Sequence, residues 1–194
     1  MKMEMGNKNA MLWFVVFGAM LFFSSPADCL GTVYDIDMNK YVGTWYNMYT
    51  NYWSDSFLGT ENAECTMAQY SKLSETSFAV VNTYTVEGEL VTTTGNAMVP
   101  LSSEPGKILV KLDNQATESK YWILKLGPIV NNQYEYSVIT DDKGQSLSVL
   151  ARDPETFDLK YDAEVTEYLL ITRFTTPTTQ RQRVYHGNDC TYQI

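Results

Sequence analysis

The sequence predicts a mainly β chain: an eight-stranded antiparallel up-and-down barrel with one C-terminal α-helix packed on its outside. Three observations predict it. Eight short runs rich in Thr, Tyr, Val and Ile recur between residues 44 and 152, separated by compact turn signals. Several of these runs alternate apolar and polar residues with period two, as a strand with one buried face does. After residue 153 the period changes once, to that of an amphipathic helix. Strands at this regular spacing, joined mostly by short hairpins, form a meander that closes into a barrel.

The first element is an address rather than a part of the fold. Lys2 and Lys8 precede an almost unbroken apolar run over residues 11–23, and small residues follow at 24–27. A charged start, an apolar stretch and a small-residue exit describe a secretory signal peptide. A run of thirteen residues is short for a bilayer span, which needs about 20. Cleavage after Ala27 leaves Cys29 in the mature chain, whereas cleavage after Cys29 removes it. The segment is therefore assigned as 1–27, ending as late as 29. Beyond residue 27 there remain 12 Lys plus Arg against 22 Asp plus Glu, a net charge of −10. Such a surface repels phosphate backbones and anionic headgroups, so nucleic acid is excluded as a partner and stable membrane insertion is not expected. The rest is one domain, since no linker, repeat or low-complexity tract interrupts it.

The strands are read in order at 44–53, 65–73, 77–87, 90–99, 107–113, 121–126, 133–141 and 145–152. Their boundaries are turn residues: Glu87-Gly88, Pro105-Gly106, Asn131-Asn132 and Asp142-Lys143-Gly144. In the fifth run Ile108, Val110 and Leu112 share one wholly apolar face, while the other carries Lys107, Lys111 and Leu109; the even positions are read as inward. In the third run Phe78, Val80, Asn82 and Tyr84 form the bulkier face. A buried amide needs partners, so Asn82 either faces a cavity or bonds a neighbouring tyrosine. Tyr121, Ile123, Tyr136 and Val138 extend the inward set.

The helix begins at Asp153-Pro154-Glu155, an N-capping Asp with Pro at the first helical position. Phe157, Tyr161, Val165, Tyr168, Leu169 and Thr172 recur at helical spacing, and Pro177 lies beyond its expected end near Arg173-Phe174. Leu147 and Val149 on the eighth strand form its expected docking surface.

At three places the chain resembles the lipocalin family, and within it the secreted apolipoprotein D-like type. Asn39-Lys40-Tyr41-Val42-Gly43-Thr44-Trp45-Tyr46 carries a Gly-x-Trp block at the start of the first strand. Val149-Leu150-Ala151-Arg152-Asp153-Pro154 ends the eighth strand and opens the helix. Pro105-Gly106-Lys107-Ile108-Leu109-Val110-Lys111 is followed by Tyr121-Trp122-Ile123-Leu124. The likeness spans residues 36–190, the expected lipocalin domain. It implies that Gly43, Trp45 and Arg152 are structural, with Arg152 stacked over the Trp45 indole at the closed end, a contact worth about 0.5–2 kcal/mol. It also implies a disulfide between Cys65 and Cys190 that ties the tail to the second strand. Two departures stand out. Residues 125–132 lack the Thr-Asp-Tyr-like motif common in the family, and Cys29 lacks its usual partner on the seventh strand. If Cys29 is retained, it is an unpaired thiol or the link to a protein partner or second copy. Taking Trp45 and Arg152 as inward and Cys65 as outward, counting by twos adds Asn47, Tyr49, Tyr70, Ser146 and Ser148 to the inward set.

The chemistry of catalysis is sparse. The one histidine, His186, lies in the tail, so no Ser–His–Asp arrangement forms and no metal or cofactor is expected. Cys65 is taken by the implied bridge, and the carboxylates crowd turns and the helix face. The chain is expected not to be an enzyme. An apolar interior with a few Tyr, Asn and Ser groups suits a hydrophobic ligand with one or two polar atoms, although the same aromatics could fill an eight-stranded barrel completely. The resemblance implies extracellular binding and transport of a fatty acid, sterol, retinoid, carotenoid or tetrapyrrole-type pigment. The alternative is an interaction protein that uses its open-end loops, with Phe57 and Leu58 in the 54–60 loop as a lid or a partner site.

Overall fold

In the computed structural model, which describes residues 31–192, eight antiparallel strands close on themselves. They are β1 Gly43–Thr50, β2 Glu64–Lys72, β3 Ser77–Val86, β4 Glu89–Met98, β5 Lys107–Leu112, β6 Ser119–Leu126, β9 Tyr136–Thr140 and β10 Ser148–Ala151. Each pairs with the next, and β10 pairs back onto β1 to complete the barrel. A small hairpin, β7 Ile129–Val130 and β8 Gln133–Tyr134, stands where the family motif was missing. The signal-like segment and Cys29 lie outside the described residues.

Local chemistry explains the turns. Val86 pairs with Glu89, leaving Glu87 and Gly88 as a two-residue loop. Both have positive φ (52° and 84°), the geometry that matches the twist of the flanking strands. Asn131 and Asn132 do the same between β7 and β8, with φ of 50° and 64°. Asn tolerates this region better than most side chains.

The helical region departs from expectation in being two segments. α3 Pro154–Lys160 and α4 Asp162–Ile171 meet at Tyr161, whose backbone still bonds Phe157 O and Val165 N at 2.9 Å each. Asp153 caps the first segment by accepting from Thr156 N at 2.7 Å. Phe157, Val165 and Leu169 are fully covered and press on Leu147 and Val149 outside the barrel. Two further helices fall within regions read as strand or loop: α1 Met38–Tyr41, beneath the barrel, and α2 Tyr52–Leu58, across its mouth. The first strand thus ends at Thr50, not at residue 53.

Two hydrophobic clusters result. The inner one contains Tyr41, Trp45, Tyr70, Phe78, Val80, Ile108, Leu112, Ile123, Ile139 and Leu150. The outer one, between barrel and helix, contains Met48, Tyr49, Tyr136, Val138, Leu147 and Val149. Tyr49 and Tyr136, expected to face inward, therefore lie outside, as does Val138. For Tyr49 the reason is a bulge: β1 shifts register against β10 between Asn47 and Tyr49, so Met48 and Tyr49 both turn outward. For Tyr136 it is that every residue of β9 is buried; with both faces covered, the strand carries no alternation to read.

Beyond Tyr46 the strands β1 and β2 no longer pair. The C-terminal tail fills that opening. Its short strand β11 Gln182–Arg183 pairs with Thr50 and Tyr49. Val184 N donates to Met48 O at 3.1 Å, and Cys65 N donates to Tyr185 O at 2.8 Å. The Cys65–Cys190 disulfide is formed, with the two Cα atoms 5.4 Å apart.

Candidate ligand-binding cavity

The closed end is built from the first strand and the end of the last. Trp45 is completely buried and donates through Nε1 to Tyr41 O at 2.8 Å. The Arg152 guanidinium lies 3.6 Å from the centre of the Trp45 ring. Its three nitrogens donate to the carbonyls of Thr44 at 2.6 Å, Tyr134 at 3.1 Å, and Lys40 and Tyr41 at 3.0 Å. Burial pulls this guanidinium down to about 10, so it stays charged at neutral pH. Gly43 permits the approach: its φ is +105°, and a Cβ there would stand 3.3 Å from Arg152 Nη1.

Above this plug lies a layer of hydroxyls. The Tyr41 hydroxyl bonds Ser137 Oγ at 3.1 Å, and the Tyr70 and Tyr121 hydroxyls bond each other at 3.1 Å. The Tyr41 and Tyr70 rings stack with centroids 6.0 Å apart. Burial raises all three phenols, Tyr70 to about 12, so they remain neutral hydrogen-bonding groups.

Over this floor the interior is open. A chamber of about 550 Å³ is walled by Phe78, Val80, Ile108, Val110 and Leu112. A second, of about 270 Å³, lies toward β1, β2 and the tail, against Tyr84, Thr93 and Val184. Tyr70, Asn82, Leu112, Tyr121 and Ser148 border both. Asn82 faces this space; among the described residues its amide makes no hydrogen bond within the protein. Ile123 is inward and fully buried, packed in the inner cluster below the open volume. Asn47 and Ser146 also reach the walls.

The mouth is partly roofed by α2, an element that the sequence reading missed although its signals were present. Asn51 caps it by accepting from Ser54 N at 3.0 Å, and Gly59 ends it in the left-handed region with φ of 68°. The helix is tied to the β9–β10 hairpin: Ser54 Oγ donates to Leu147 O at 2.8 Å, and Asn51 Nδ2 donates to Gln145 O at 2.8 Å. Asp55, nearly covered, accepts from Thr50 at 2.8 Å and Thr60 at 3.1 Å. Leu58 packs toward the inner cluster and touches both chambers.

His186 belongs to the tail clamp, between Tyr192 Oη at 2.7 Å and Asn47 O at 3.0 Å. Burial lowers its basicity. Among the described residues no three His, Cys, Asp or Glu gather where an ion could sit, and no helix is long and apolar enough to cross a membrane.

A barrel plugged by Trp45 and Arg152, with an open interior and an external helix, defines a class. A family model described as "Lipocalin-like domain" matches residues 36–168, and the chain belongs to the lipocalin family. Among solved structures it is similar to the siderocalin Ex-FABP, described as functioning through dual ligand specificities. The TM-score is 0.51 at 14% identity, over 80% of this chain and 96% of that one; likeness at this level concerns the fold. No curated protein matches the chain in sequence.

Proposed function

We propose that the protein is an extracellular carrier of a small lipophilic molecule held non-covalently in the barrel. One observation carries the reading: the interior is open, about 550 Å³ in its larger chamber, which falls in the range of small-molecule sites. The ligand's apolar body would lie against Phe78, Val80, Ile108, Val110 and Leu112. Tyr70, Tyr84, Asn82, Tyr121 and Ser148 would orient it. Burial contributes about 25 cal/mol per Å² of apolar area, before the costs of association are subtracted. Secretion is supported by the signal-like first segment and by a disulfide, which persists in oxidising compartments. Assignment to the apolipoprotein D-like branch rests on the three blocks at 39–46, 105–124 and 149–154, in that order and spacing. The inward placement of Leu58 favours α2 as a lid over α2 as a protein-docking loop.

Native mass spectrometry of the secreted protein, before and after solvent extraction, tests the reading. A co-purifying lipophile that disappears on extraction is expected. A protein that is empty as isolated, and that binds neither retinol nor a fluorescent fatty acid, would remove the carrier function.

A further inference from the structure

We infer that the cavity selects uncharged lipophiles bearing a hydroxyl or carbonyl at the leading end, and discriminates against ionised carboxylates of the same shape. The inference rests on the carrier reading and narrows its ligand class. The deep polar groups are all neutral and two-sided. Tyr70 and Tyr121 share one hydrogen bond at 3.1 Å. The Tyr121 hydroxyl also neighbours that of Tyr41, which bonds Ser137; such a chain of hydroxyls keeps lone pairs to receive and, at one end, a proton to give. Asn82, with no hydrogen-bond partner among the described residues, offers both a donor and an acceptor half-way up the wall. An alcohol or a carbonyl can satisfy such a set.

A carboxylate cannot. Moving an ion out of water is unfavourable unless an opposite charge or several donors replace the solvent, and among the described residues the deep interior holds no free cation. Arg152 is the nearest, but it lies against the Trp45 ring with its three nitrogens bonded to backbone carbonyls. The cations bordering the chambers stand at the open end or in the tail. There Lys120 is paired with Asp142 at 2.6 Å and Arg183 with Asp158 at 2.5 Å. Lys143 shares the rim with Glu118, Asp141 and Asp142, and Asp55 adds a carboxylate under the lid. A carboxylate that entered first would leave water for hydroxyls and one neutral amide, below a rim and lid that hold more acids than bases.

All-trans-retinol, retinoate and methyl retinoate share one body and differ in the head, so their dissociation constants on the full-length secreted protein, measured at pH 7.5 by fluorescence titration, test this. Retinol and the methyl ester are expected to bind at least about tenfold more tightly than retinoate, one such factor being a single pK unit of interaction with the charge. Retinoate binding as tightly as retinol would overturn the inference and leave the carrier reading intact. If none of the three binds, the inference falls, and the carrier reading is decided separately by the co-purified lipophile and the fatty-acid probe. The variants Tyr121→Phe and Asn82→Leu, each checked for an unchanged circular dichroism spectrum, locate the effect. In at least one of them the retinol-to-retinoate ratio should shrink several-fold. A preference undiminished in both folded variants would show that the head never meets these groups, and would overturn the assignment.

Discussion

Arg152 has little freedom to change. It holds carbonyls from α1, β1 and β8 with one planar group while covering Trp45, a task that an ammonium cannot divide among so many directions. Arg152→Lys should keep the charge and still lose about 2–4 kcal/mol in urea unfolding, since buried carbonyls would be left unpaired. A loss under 1 kcal/mol would mean that the closed end relaxes around the smaller group. Asp55 behaves in the opposite sense. Burial is the largest influence on its carboxyl and raises it, so the folded chain holds that proton more tightly than the unfolded chain does. Its stabilising contribution is complete below the unfolded carboxyl value and is lost as pH rises through the raised one; at neutral pH the charge is held at a cost. Asp55→Asn keeps an oxygen for Thr50 and Thr60 and removes the charge. Its melting temperature at pH 7.5 should equal or exceed that of the wild type, and it should gain less on acidification toward pH 4.5. A lower melting temperature at pH 7.5 would show that the ionised form is favoured.

At the scale of elements, the two faces of the wall do different work. Tyr136 lies under the helix, where its hydroxyl donates to Glu164 Oε1 at 2.8 Å beside Lys125. Tyr136→Phe should lower stability by about 1 kcal/mol, because Glu164 is half exposed and screened, and should leave retinol affinity unchanged. A matching loss of affinity would place Tyr136 at the ligand. This residue also marks where the sequence stops being legible. Ile108, Val110 and Leu112 could be assigned because β5 has one wet face, and Phe78 to Tyr84 because their bulk falls on one parity. Strand β9 has no wet face, so its sequence carries no alternation from which the inward side can be told. In β1 the bulge after Asn47 is fixed by the partner strand and leaves no local mark. Helix α2 did leave marks, Asn51 and Gly59 with seven residues between them, but Tyr52 and Trp53 read more readily as strand.

For the molecule as a whole, the sheet is closed by something other than strand pairing alone. β1 and β2 separate above Tyr46, and residues 182–185 occupy the gap, bonded to Met48 on one side and to Cys65 on the other. The tail is therefore part of the cavity wall, and Val184 borders the smaller chamber. The disulfide spans 125 positions of sequence and fixes this last piece; on chain-entropy grounds it contributes up to about 5 kcal/mol. Its removal should act on ligand kinetics as well as on stability. With both cysteines replaced by Ser, the tail detaches more often and opens a side exit, so retinol dissociation followed by stopped-flow fluorescence should quicken several-fold. Association through the α2-covered mouth should change little, as most affinity changes within one site fall on the dissociation rate. Limited proteolysis serves as the control, since the tail of the double variant should be cut before the barrel. Dissociation that stays slow while the tail is being cut would mean that the barrel holds its ligand by the eight strands and the lid, with the tail only a cover.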